Sequence, residues 1–131
     1  MKVISIIEPW ASLIKERVKY IETRSWKTNY RGEIYIHASK KVLTKTNHFE
    51  YKNILDLLSN KEFNYGYIIA KCRLVDCVLM TEEFIKKIKN NHNEYICGDY
   101  SVGRYAWILE DIEEIEPIKV NGSLGIWTHK E

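Results

Sequence analysis

Lys19, Glu22, Arg24 and Trp26 fall within eight residues, in the run Lys19-Tyr-Ile-Glu22-Thr-Arg24-Ser-Trp26-Lys27. If residues 20–26 form a strand, alternation puts Tyr20, Glu22, Arg24 and Trp26 on one face and Ile21, Thr23 and Ser25 on the other. Two readings of that face stand side by side. One is an exposed ion pair beside a surface tryptophan, which contributes ~0–1 kcal/mol. The other is a groove wall. In it Arg24 and Arg31 meet phosphates, Trp26 or Trp10 stacks on a base, and Glu22 accepts from an amino group on the base edge. Lys19 has its own pair of readings. It is either a plain surface lysine, or a lysine beside partly buried aromatics that loses its charge and acts as a base or nucleophile.

A second cluster, Gly98-Asp-Tyr-Ser-Val-Gly-Arg-Tyr-Ala-Trp107, makes a polar loop that enters a strand at Tyr105. It is either a turn whose aromatics return to the core, or a second wall of the same groove carrying Arg104 and Tyr105. The chain has no GxSxG, HExxH, P-loop or GxGxxG, which disfavours a recognisable hydrolase, metalloprotease or nucleoside-triphosphate enzyme. Cys72, Cys77 and Cys97 form no CxxC pair, and none of the four histidines sits at zinc-finger spacing from them. No metal and no cofactor is expected. Cys72 and Cys77 lie in an apolar run, as small hydrophobes do, and the expectation is reduced thiols in a cytoplasmic protein.

These residues need elements to position them. Lys2–Ile7 reads as a short strand. Pro9 suits a first helical turn, and Trp10, Leu13, Ile14 and Arg17 then recur at helical spacing. Glu33–Ser39 alternates after an Arg31-Gly32 turn. Asn47–Leu58 has a helical pattern with Asn47 and Glu50 as its N-terminal cap. Tyr65–Leu79 is a long β-rich run interrupted by Lys71, Arg73 and Asp76, which predicts a bend or bulge. Thr81 caps a helix that has Glu82 and Glu83 in its first turn and lysines near its end, the order that complements the helix dipole. Arg104–Ile112 and Leu124–Thr128 read as the last strands. The sum is an α+β fold, a small curved β-barrel with two or three flanking helices.

The whole chain, residues 1–131, fits one domain, with no repeat, linker or low-complexity tract. Apolar residues make up 45%, enough for a core without staples. No run is long enough to span a bilayer, so no membrane partner is expected. The N-terminus turns acidic too soon for a signal peptide. Residues 1–60 carry eleven Lys and Arg against six Asp and Glu, whereas residues 61–131 carry nine against twelve. A basic N-terminal half attracts an anionic ligand, or is simply an uneven solvated surface. Five acids between Glu110 and Glu116 read as a solvated edge that resists sheet-to-sheet aggregation.

At residues 8–38 the chain resembles the ASCH domain family, the activating signal cointegrator homology domains of the PUA-like superfamily. The resemblance rests on Pro9-Trp10-Ala11-Ser12-Leu13-Ile14, on Lys19-x-x-Glu22-x-Arg24-x-Trp26, on Arg31-Gly32 and on Ile36-His37-Ala38. The usual G-x-K-x-x-E-x-R motif has Arg17 in place of its glycine. A later Gly-Arg-Tyr-Ala-Trp stretch is similar to one in bacterial and phage-type members. The resemblance implies a small β-barrel with a cleft beside the Lys-x-x-Glu-x-Arg strand, and RNA or a nucleotide as partner. Together with the residue chemistry above, the candidate contacts are Pro9, Trp10, Ser12, Lys19, Glu22, Arg24, Trp26, Lys27, Arg31, Arg104 and Tyr105. It also implies an alternative enzymatic role, either a ribonuclease or an amidohydrolase removing the acyl group of N4-acetylcytidine. In that amidohydrolase Lys19, Glu22 and Arg24 do the chemistry with a glutamate from a later helix, for which Glu82, Glu83 and Glu94 are the candidates. Glu22 stands where those amidohydrolases have a threonine.

Overall fold

The computed structural model describes residues 1–43 and 51–130. In chain order the elements are β1 (Lys2–Ile6), α1 (Trp10–Lys15), β2 (Ile21–Arg24), β3 (Gly32–Ala38), α2 (Tyr51–Leu55), β4 (Tyr67–Leu79), α3 (Glu82–Ile88), α4 (His92–Ile96), β5 (Tyr105–Lys119) and β6 (Ile126–Thr128). The six strands form one curled sheet in the order β2-β5-β4-β3-β1-β6. Only the β1–β3 pair is parallel. The architecture is the expected α+β fold around a small curved sheet, here a half-barrel, with four short helices among the described residues where two or three were expected. The expected cap at Asn47 lies outside the described residues.

The long β4–β5 pair carries the curl. Three shifts of register, between Ile68 and Ala70, Lys71 and Arg73, and Leu74 and Asp76, bend it as the interrupted sequence predicts. Asp111 has a left-handed φ of 53°, and β5 continues beyond it to Lys119, past the expected end at Ile112. β2 covers β5 only from Tyr105 to Ile108. The acidic run therefore lies on the stretch of β5 that β2 leaves uncovered, and its charged residues are exposed.

The inner face of the curl buries Ile34 and Ile36 of β3, Ala70, Cys72 and Leu74 of β4, and Trp107 and Leu109 of β5. α1 plugs this concavity with Ala11 and Ile14 and touches β3, β4 and β5. A six-residue helix does not persist alone in water. Burying Leu13 and Ile14 completely, at about 1.5–3 kcal/mol each, holds it in place. The outer face beside β2 packs Ile21, Met80, Tyr100 and Ala106 against α3 and α4. Thr81 caps α3 as expected, its Oγ1 accepting from the Phe84 N–H at 3.1 Å.

The end of α1 shows how Arg17 replaces a glycine. The Val18 N–H donates to the Leu13 carbonyl and the Arg17 N–H to the Ile14 carbonyl. That is a Schellman ending, which needs a left-handed residue after the helix. Arg17 supplies it with φ 62°, at a steric cost of ~1–2 kcal/mol. Its Nε donates to the Ile112 carbonyl at 3.1 Å, which offsets part of that cost. In urea denaturation, Arg17→Ala is expected to be destabilised by about 1 kcal/mol, because the bond goes and the strain stays. Arg17→Gly is expected to be the more stable of the two by about 1 kcal/mol. The opposite order would show that the turn carries no strain.

Candidate functional site

The sheet does not close by backbone pairing, and its seam is where polar side chains gather. β2 is one edge, and β1 lies beside the other. Arg24, on β2, sends Nη2 across the seam to the Ser5 carbonyl on β1 at 2.9 Å. Its Nε bonds Glu22 Oε2 at 2.9 Å. Glu22 pairs with Trp107 across the β2–β5 ladder and Arg24 pairs with Tyr105, so both side chains share one face, as alternation predicts. A guanidinium has five N–H donors, and these two bonds leave donors for a ligand.

A cleft of about 1280 Å³ opens along this seam. Glu22, Thr23 and Arg24 form one wall with Gly98, Asp99, Tyr100 and Arg104. Ser5, His37 and Lys40 form the facing wall, with residues 122–125 at the rim and Trp10 at the base. Arg104 is held by Asp99, through its carbonyl at 3.1 Å and a carboxylate oxygen at 3.5 Å. The Asp99 N–H donates to Thr23 Oγ1 at 3.1 Å, which pins the 98–104 loop to β2. That loop is thus a wall of the cleft, although its Tyr100, like Tyr105 and Trp107 that follow it, packs into the core.

The structure brings Trp10, Glu22, Arg24 and Arg104 together at the cleft and sends the other predicted residues elsewhere. Pro9 is buried at the start of α1. Ser12 is buried too, and its N–H and Oγ donate to the two carboxylate oxygens of Glu8 at 2.7 and 2.6 Å. Trp26 lies past the end of β2, edge-on to Trp107 at 4.7 Å, and does not line the cleft. Lys27 is exposed outside it. Arg31 turns back to the carbonyls of Thr28 and Tyr30 and faces Asp76 at 3.7 Å. Tyr105 packs against the main core.

Lys19 is 1% exposed, and its ammonium donates to the Ile21 carbonyl behind the Glu22 wall. Among the three candidate glutamates, Glu94, from α4, is the one on which the Lys19 charge acts. Glu82 and Glu83 are exposed on α3, whereas Glu94 is buried and its Oε1 accepts from the Tyr20 N–H at 2.6 Å. Burial raises the Glu94 pKa against the opposing pull of Lys19. Burial, with the nearby Glu94 charge, likewise holds the Tyr100 phenol above its ordinary range, and burial lifts the Cys97 thiol to about 11. Glu94 Oε2 and the Tyr100 hydroxyl are both buried and lie close enough for each side chain to shift the other's pKa.

No local sequence pattern gives a role to Ser5, Lys40 or Thr23, and His37 has none beyond its place in the Ile36-His37-Ala38 motif. Their positions follow from the sheet order, which sets Ser5 beside His37 in the parallel ladder. Periodicity does not announce a pairing across 32 residues.

The profile of the family described as "ASCH domain" matches residues 4–119. The chain is similar to "Activating signal cointegrator 1" of human, 31% identical over 95% of this chain and 21% of that protein. The mouse protein of the same name is 26% identical over the same shares. The chain thus spans about a fifth of the length of these relatives. Among solved structures, ASCH from Zymomonas mobilis aligns with a TM-score of 0.57 at 18% identity, covering 90% of this chain and 72% of that one. A single-residue mutant of that protein aligns with a TM-score of 0.55. At this identity the likeness shows the fold.

The raised Glu94 pKa has a definite sign in stability. The unfolded chain ionises Glu94 near 4.5, while the folded chain ionises it only at higher pH. Whatever Glu94 contributes is therefore fully present below 4.5 and is lost as pH rises through the folded value. Urea midpoints measured from pH 4.5 toward neutrality should show Glu94→Gln gaining on wild type as pH rises. Gln keeps the acceptor for the Tyr20 N–H. A difference that is flat with pH would mean that Glu94 ionises normally.

Proposed function

The chain belongs to the ASCH domain family, and on that premise we propose that its seam cleft holds a nucleotide unit of RNA. The family is linked to nucleic-acid binding. The observation that carries the reading is the placement of Arg24, Arg104 and Lys40 around one open cleft that also presents Trp10 and Glu22. Arginine forks match phosphate oxygens in pairs. An indole face stacks on any base, for about 1–3 kcal/mol. A carboxylate only accepts, so Glu22 selects a base edge that donates, such as the exocyclic amine of cytosine or adenine. Fixing one Glu22 oxygen on Arg24 aims the carboxylate without neutralising its acceptor capacity. Trp26, Lys27 and Arg31 stand outside this pocket. Among the described residues no helix is long and apolar enough to cross a membrane. A cytoplasmic location, suggested by free thiols, belongs to the same proposal.

A second reading, the amidohydrolase on N4-acetylcytidine, draws support from one observation. Glu94, from a later helix, lies near enough for the Lys19 charge to act on it, while its carboxylate accepts from the Tyr20 N–H. Lys19 would act as base or nucleophile, Glu22 would position water or the leaving amine, and Arg24 would stabilise the oxyanion. Against it, the Lys19 ammonium is already bonded to the Ile21 carbonyl and sits behind Glu22.

Fluorescence anisotropy with short single-stranded RNA tests the first reading. Arg24→Ala and Arg104→Ala are each expected to weaken binding about tenfold, since each removes a charged hydrogen bond. Each should lower the salt slope by ~0.7 for every phosphate that the guanidinium neutralises. Trp26→Ala should bind as wild type does. Undiminished binding by Arg24→Ala would place the RNA elsewhere. N4-acetylcytidine, offered to the same proteins, should be bound without turnover. Hydrolysis that disappears in Lys19→Ala would replace the first reading with the second.

A further inference from the structure

The facing wall of the cleft holds a pair that neither reading uses. Ser5 on β1 and His37 on β3 are direct neighbours in the parallel ladder. Ser5 Oγ lies 2.8 Å from His37 Nδ1, and His37 Nε2 lies 2.9 Å from the Val120 carbonyl oxygen. A carbonyl can only accept, so Nε2 carries the ring proton and Nδ1 is bare. The Ser5 hydroxyl therefore donates to Nδ1. The Trp127 indole N–H donates to the same Oγ at 3.3 Å, which favours negative charge on that oxygen. The Trp127 ring stands edge-on to His37 at 5.7 Å and helps fix it. Burial lowers the His37 pKa, so the ring is neutral at neutral pH, with Nδ1 unprotonated.

Two further features make this more than a satisfied core histidine. Ser5 and His37 both line the cleft, and the Arg24 guanidinium is anchored on the carbonyl of Ser5 itself. Gly122 lies over the pair. A Cβ there would come within 2.7 Å of both Ser5 Oγ and His37 Cε1. The Gly122 backbone packs directly against the hydroxyl and the ring, and any side chain there would push them apart.

We propose that Ser5, His37 and the Val120 carbonyl are a nucleophile, base and orienting group for acyl transfer, acting on carboxylic esters whose acyl group enters the cleft beside Arg24. Ser5 Oγ bonds to the ester carbonyl carbon as its proton passes to His37 Nδ1, and the Val120 carbonyl holds the imidazolium in place. The former carbonyl oxygen takes up the electron pair, and Arg24 stabilises that charge. Collapse of this adduct breaks the bond to the leaving alcohol, which carries off the proton from Nδ1 and leaves acyl-Ser5. A water molecule then gives its proton to Nδ1 and attacks the acyl carbon. Ser5 recovers the proton and the carboxylic acid departs. The step needs only ester and water, and it does not depend on the nucleic-acid reading.

The test is incubation of the full chain with p-nitrophenyl acetate, following p-nitrophenolate release and mapping acetyl adducts by peptide mass spectrometry. Wild type is expected to give a burst of p-nitrophenolate and an acetyl group on Ser5. Ser5→Ala should abolish the burst, and His37→Gln should slow it about a hundredfold. Gly122→Ala should slow it by pushing Ser5 Oγ and the His37 ring out of hydrogen-bond register. Thermal melts separate failed chemistry from failed folding, and the wild-type adduct map decides the matter without any variant. Acetylation confined to lysines and the N-terminus, or a Ser5→Ala protein with the wild-type burst, would overturn the proposal.

Discussion

The Arg24 guanidinium spans a seam that no backbone ladder closes, and the cleft exists because of it. With β2 at one end of the sheet order and β1 next to the other, six strands could equally lie as an open twisted sheet. The register shifts in β4–β5 supply the curvature. The bond from Arg24 to the Ser5 carbonyl fixes how far the curl goes, and Glu22 holds the guanidinium at the angle that reaches it. A full β ladder across the seam would consume the polar groups a ligand needs. A single side-chain bridge leaves them facing solvent.

Behind that wall, the surroundings of Lys19 show burial deciding chemistry. A buried ammonium must be bonded and balanced. The Ile21 carbonyl gives it a partner, and Glu94 gives it opposite charge nearby. Glu94 in turn takes the N–H of Tyr20, which ties α4 to the entrance of β2. The motif lysine thus builds the wall from which Glu22 and Arg24 project. The same geometry leaves Arg24 and Arg104 lining the cleft and keeps the motif lysine, Lys19, behind its wall.

Much of this was legible locally. The period-2 pattern put Glu22 and Arg24 on one face, which the pairing with Trp107 and Tyr105 reproduces; that this face turns inward came only from the fold. Thr81 and the charges after it marked a capped helix. The pattern failed at Trp26 because β2 stops at Arg24. Past that point the chain bends, and the indole meets Trp107 rather than the cleft. Arg31 misled for a similar reason. A long cation near a turn finds the nearest carbonyls first, here those of Thr28 and Tyr30. The bonds that complete the site, Ser5 with His37, Arg24 with Ser5, and Glu94 with Tyr20, join segments far apart in sequence. They depend on strand order, which local periodicity does not encode. Arg17 shows the reverse case. The backbone demanded a left-handed residue there, and a missing glycine did not prevent the turn.

The central claim is that the seam, rather than the outer surface, receives the ligand. Amide NMR during titration with a short single-stranded RNA tests it most directly, because every backbone N–H reports its own surroundings. Shifts concentrated on Ser5 to Ile7, Glu22 to Arg24, Gly98 to Tyr100 and Gly122 to Gly125 would place the RNA in the cleft. Shifts confined to the exposed stretch of β5 or to the Trp26–Arg31 turn would contradict the account, and so would a spectrum unchanged at saturating RNA.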